Sequence, residues 1–153
     1  MSVYIAALLI GVICGLRTFM GPTAVSWAAR LGWLPVGDSW AAFMGFAYTP
    51  YIWTVLALVE LVTDQLPQTP SRKVPVQFGA RLVFGGFSGA VIGTAGGSLV
   101  GGLVAGIVGA VIGTLGGAEL RGRMAKAFSK DMPAALIEDA IAIVGAFLIV
   151  HGL

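Results

Sequence analysis

Six ionisable side chains stand in stretches of the chain that are otherwise apolar: Arg17, Glu60, Asp64, Arg81, Glu138 and Asp139. At the centre of a membrane helix each costs about 2.5–3.5 kcal/mol, so such residues face protein or water and find partners. Glu60 and Asp64 are four apart, which puts both carboxylates on one helix face. Glu138 and Asp139 are adjacent and point about 100° apart, so the spacing predicts that only one of them faces a given ligand. Four acids against two arginines give the set a net formal charge of −2. That surplus suits a cation or a shared proton better than an anionic substrate.

Three chemistries fit these residues. The carboxylates can exchange a proton or a cation, with Arg17 as counter-charge. Alternatively all six can be ion pairs that fix helix order, for example Arg17 with Glu60 and Arg81 with Asp64 or Glu138. In the third, carboxylates hold Mg²⁺ against a lipid-linked phosphate. Arg72 and Lys73, in the proline-stiffened loop Pro67–Pro75, would then meet the phosphate, or simply anionic headgroups. No phosphate-binding glycine loop, zinc-protease motif or serine elbow accompanies them, and His151 is the only histidine. No catalytic residue, cofactor or resident metal site is therefore assigned, and an enzyme is the least favoured of the three. The lone Cys14 forms no internal disulfide, and no basic face interleaved with aromatics offers a nucleic-acid surface.

The elements that must position these charges are apolar to an unusual degree. Hydrophobic residues make up 58% of the chain, charged residues 10%, and the mean hydropathy is +0.94. Soluble domains carry roughly 25% charged residues, so the composition predicts an integral membrane protein with the lipid bilayer as its partner. From Leu82 to Ala118 no side chain ionises, and small residues recur every fourth position: Gly85, Gly89, Gly93, Gly97, Gly101, Ala105, Gly109, Gly113 and Gly117. Interior glycine costs a soluble helix about 1 kcal/mol, whereas in lipid such a row lets two backbones approach closely. These nine small residues exceed what one hairpin uses, which predicts self-association into a homo-oligomer.

One straight helix over this stretch would be about 55 Å long, too long for a hydrocarbon core of about 30 Å. The chain is expected to turn near Gly96-Gly97-Ser98. The segment Gly89–Gly97 matches Gly109–Gly117 at all but one position, which supports two crossings. The whole pattern predicts an all-α bundle with spans at about 3–30, 50–66, 77–97, 101–119 and 133–150 around a glycine-rich hairpin. The first span is expected to kink or break at Gly21-Pro22, and the aromatic segment 38–48 to be interfacial or re-entrant. Trp27, Trp33, Trp40 and Trp53 read as an interfacial belt. Arg72, Lys73, Arg121, Arg123, Lys126 and Lys130 share one side under this topology. The excess of basic residues predicts a cytoplasmic N-terminus and an outward C-terminus.

The chain resembles a family of small bacterial membrane proteins grouped as domain of unknown function 4126. The likeness rests on Gly15-Leu-Arg-Thr-Phe19, on Glu60-Leu-Val-Thr-Asp-Gln-Leu-Pro-Gln-Thr-Pro-Ser-Arg72, on the glycine-rich pair of spans and on Ala135-Leu-Ile-Glu-Asp-Ala140. It implies a compact helical protein of the bacterial inner membrane and no reaction. The combined expectation is a transporter-like or channel-like protein for protons, cations or a small solute. A scaffold with structural ion pairs is the alternative.

Overall fold

The computed structural model describes residues 3–34, 36, 39–63, 75–128 and 131–151, and these are all-helical, with no strand among them. In chain order they form α1 (Val3–Leu16), α2 (Met20–Arg30), a 3-10 helix (Trp40–Gly45), α3 (Thr49–Thr63), α4 (Pro75–Ala95), α5 (Leu99–Phe128) and α6 (Asp131–His151). Two stretches, Phe78–Ala95 in α4 and Leu99–Gly117 in α5, are long and apolar enough to cross a membrane.

The chain reverses between α4 and α5 at Gly97, whose φ is +84°. The Ser98 N–H donates to the Gly93 carbonyl at 2.7 Å and the Gly97 N–H to that of Thr94 at 3.1 Å. This left-handed closure satisfies carbonyls that the end of a helix leaves without partners, and glycine adopts it without a Cβ penalty. The end of α2 is built in the same way around Gly32, where the Trp33 N–H reaches the Ala28 carbonyl at 2.8 Å.

The core is a trio of helices, α1, α4 and α5, whose backbones nearly touch. A Cβ on Gly89 would stand 2.8 Å from the Gly106 Cα, and one on Gly93 would stand 2.8 Å from the Gly102 Cα. A Cβ on Gly85 would lie 2.7 Å from that of Ala110, and one on Gly11 would overlap the Gly106 carbonyl. Gly109 and Gly113 meet α1 at Leu8 and Val12. Gly85, Gly89, Gly93, Gly109 and Gly113 therefore sit at helix contacts. The four-residue register departs from the packing at Gly97, which forms the turn, and at Gly101, which faces the Tyr4 ring. Gly102 and Gly106, one position out of that register, carry the contact with α4, and Gly117 is buried. The twenty-residue repeat thus packs on different partners: Gly89 and Gly93 on α5, Gly109 and Gly113 on α1. Gly11, Gly109 and Gly113 bring α1 against α5 within the chain.

Around the trio, α6 packs on α1, α2 and α5, while α2 packs on the 3-10 helix, α3, α4 and α6. Ser26 donates to the Met44 carbonyl at 2.5 Å, and Thr23 to the Trp53 carbonyl at 2.9 Å, which joins α2 to both following elements. The stretch 119–128 continues α5.

Candidate functional site

The charged residues gather at a break in the first apolar stretch. It falls at Arg17–Phe19, not at Gly21-Pro22 as the sequence suggests. Gly21 and Pro22 lie inside the first turn of α2, where the missing proline N–H would have no helical partner anyway. Gly21 matters for packing instead, since a Cβ there would overlap Cys14 Sγ and come within 3.2 Å of Ser88 Oγ. The lack of a side chain at this position lets the start of α2 lie against the end of α1.

A broken helix exposes carbonyls at one new end and N–H groups at the other. Buried side chains supply partners for both. Arg81, on α4 and 2% exposed, donates from Nη1 to the Gly15 carbonyl at 2.8 Å. Arg17 donates from Nη1 to the Leu16 carbonyl at 3.0 Å. On the other side Glu60 of α3 accepts the Thr18 N–H at Oε2, 2.8 Å, and the Phe19 N–H at Oε1, 3.0 Å. Cations thus meet the carbonyl end of α1, and a carboxylate meets the N–H end of α2. Both placements complement the helix dipoles.

Arg17 also ties the break to α6. Its guanidinium is completely buried and donates from Nε to Asp139 Oδ1 at 2.5 Å and from Nη1 to Glu138 Oε1 at 2.8 Å, with Nη2 also paired to Asp139. Arg17 thus engages the acids of α6, and Glu60 accepts two backbone N–H groups. One expectation is corrected here, since Glu138 and Asp139 face one common partner. Their side chains diverge on the helix, but the planar fork of arginine presents donors over a width that reaches both.

Gly15 seats this assembly on α5, because a Cβ there would press to 2.7 Å from the Ala110 carbonyl oxygen and 2.5 Å from the Thr114 nitrogen. Thr114 is itself fully buried, and its hydroxyl has no hydrogen-bond partner among the described residues. Among the described members, Arg17 and Arg81 stand with Glu60, Glu138 and Asp139, three acids to two bases. Asp64, Arg72 and Lys73 lie outside the described residues. Among those described, no group of three or more His, Cys, Asp or Glu side chains is placed to hold a metal ion.

Aromatic residues flank the break, and Trp53 and Trp40 belong to this group rather than to a belt alone. Phe19, Trp53 and Phe84 pack with ring centroids 6.3, 5.2 and 5.9 Å apart. A signal for Trp53 is present in the sequence, since it precedes Glu60 by seven residues, two turns on one helix face. Trp33 and Phe147 pack around His151, which ends α6.

No family model, no curated protein and no solved structure matches this chain.

Proposed function

We propose that the chain is a multi-pass membrane protein that moves a proton, a cation or a small solute, and that the helix break is its site. The observation that carries this reading is the broken helix itself, held by Arg17, Glu60, Arg81, Glu138 and Asp139. An uninterrupted α1–α2 would satisfy its own backbone without any of these charges. Discontinuous helices with ionisable residues at their ends are a recurrent way of building ion and solute sites at membrane depth. The excess of carboxylates over guanidinium groups favours a positively charged cargo.

Membrane insertion is supported by an inside-out distribution of side chains. Arg17, Arg81, Glu138 and Asp139 are buried, while Ile52, Val55, Leu58 and Val59 of α3 and Val144, Phe147 and Leu148 of α6 are exposed. A soluble protein rarely exposes so much contiguous apolar surface. Within the same proposal there are about five spans in a bacterial inner membrane. The basic end of α5, with Arg123 and Lys126 exposed, faces the cytoplasm, as does the N-terminus. The resemblance to domain of unknown function 4126 is part of this reading and adds no reaction to it.

A scaffold is the second reading, favoured because Arg17, Glu60 and Arg81 each have partners within the chain. Reconstituting the purified full chain in liposomes under an imposed proton or potassium gradient separates the two. The transport reading expects flux above empty liposomes and its loss in Glu60→Gln with folding retained. Liposomes that stay tight to both ions would sink it in favour of the scaffold.

A further inference from the structure

Just past its apolar stretch, α5 carries an open cleft of about 280 Å³ lined by Gly116, Glu119, Leu120 and Arg123. These four stand at i, i+3, i+4 and i+7, so they share one helix face. Gly116 forms the floor. A Cβ there would meet nothing within 4 Å, so space opens where a side chain would stand. Leu120 is exposed, and so are Ile112 and Val108, one and two turns before Gly116 on the same face. Arg123 Nη2 donates to Glu119 Oε1 at 2.6 Å, which sets a cation and an anion side by side. Their side chains are 76% and 64% exposed. The second carboxylate oxygen and the remaining guanidinium donors have no partner among the described residues.

The cleft also stands at a defined depth. The stretch Leu99–Gly117, long and apolar enough to cross a membrane, ends beside it. Glu119 and Arg123 follow about 3 and 9 Å further along the helix axis. The headgroup layer on each side of the hydrocarbon core is about 5–8 Å deep, so the charge pair stands at its level.

We propose that this cleft binds a phospholipid with a zwitterionic, primary-amine headgroup, phosphatidylethanolamine, with Arg123 on the phosphate and Glu119 on the ammonium. One acyl chain then follows Leu120 and Ile112 into the hydrocarbon. The inference rests on the membrane insertion proposed above, and not on transport. The guanidinium fork matches phosphate oxygens, and the ammonium brings three N–H donors to the carboxylate. A choline headgroup has no N–H to give Glu119. A phosphoglycerol headgroup has no positive charge to set against it. An exposed ion pair contributes little to stability, so Glu119 and Arg123 can turn towards a headgroup without weakening the fold.

The test is native mass spectrometry of the full chain released from nanodiscs that hold equal amounts of ethanolamine, choline and glycerol phospholipids with identical acyl chains. Retention of the ethanolamine lipid about tenfold above the other two is expected, as for a hydrogen bond between charged groups. Glu119→Gln should remove the preference over the choline and glycerol lipids, and Arg123→Gln should lower retention of the ethanolamine lipid about tenfold. Gly116→Leu fills the floor and should also remove the preference. Gly79→Leu, at a position on α4 where a Cβ likewise meets nothing within 4 Å, should keep it. Circular dichroism checks that each variant stays folded. Equal retention of the three lipids, preference for the glycerol lipid, or Glu119 and Arg123 variants that behave like the parent would overturn the proposal. Flotation with vesicles in a density gradient separates the two levels of the reading. A chain that stays at the bottom would overturn membrane insertion and this site together. One that floats yet shows no headgroup preference would overturn this inference alone.

Discussion

Arg17→Ala is the sharpest test of how the break is held. The arginine side chain has no exposed surface, and those of its partners Glu138 and Asp139 are 4% and 10% exposed. Removing the guanidinium takes a buried cation from two carboxylates in a low-dielectric interior and leaves the Leu16 carbonyl without this donor. Breaking a buried pair from one side costs about 3–5 kcal/mol, because the remaining charge is desolvated and uncompensated. That is a large share of a typical total of about 5–15 kcal/mol. The cost should fall by about 2 kcal/mol or more in the triple variant Arg17→Ala, Glu138→Gln, Asp139→Asn, where both carboxylates are replaced by neutral amides. Arg17→Lys should lie between, since an ammonium keeps the charge but cannot fork across two carboxylates. Reversible unfolding of the full chain in mixed micelles, followed by circular dichroism, measures all three. A loss below about 1 kcal/mol for the alanine variant would refute the reasoning, as would a triple variant no more stable than the single one.

Three further outcomes follow from the packing and from one buried hydroxyl. Gly106→Ala places a Cβ into the Gly85 carbonyl oxygen and 3.1 Å from the Gly89 Cα, so it should destabilise by about 1–3 kcal/mol through overpacking. Gly116→Ala meets nothing within 4 Å and should be neutral or stabilise by up to about 1 kcal/mol; thermal melts that rank the two the other way would contradict the close α4–α5 contact. Thr114→Val replaces a buried hydroxyl that has no hydrogen-bond partner among the described residues, and should raise the melting temperature or leave it unchanged. A melting temperature several degrees lower would show that the hydroxyl is satisfied.

Several features are legible in the sequence because they depend on local chemistry. The reversal near Gly96-Gly97-Ser98 is readable since a helix end needs a residue that tolerates positive φ. The break is a different case, because the sequence points four residues too far along, to Gly21-Pro22. Proline reads as a helix breaker, yet in the first turn it costs nothing, while the true stop at Arg17–Phe19 carries no breaker residue at all. It exists because Arg81 and Glu60, distant in sequence, bind the two ends it exposes. The glycine row is equally plain, but in α5 it serves only the contact with α1, at Gly109 and Gly113, while Gly102 and Gly106, one position out of register, carry the contact with α4.

By itself the sequence determined that the chain is helical, that its small residues must bring backbones together, and that six charges need partners inside an apolar protein. These follow from composition and from spacing along one helix, and both are properties of neighbouring residues. Only the tertiary structure decided which partners those were. Arg17 faces Glu138 and Asp139 together, Glu60 accepts backbone amides, and α1 packs against Gly106, Gly109 and Gly113 of α5. Partner choice depends on how separate helices are rotated against one another. That rotation is set where Gly11, Gly85, Gly89 and Gly106 let three backbones meet, a condition no single stretch of sequence contains.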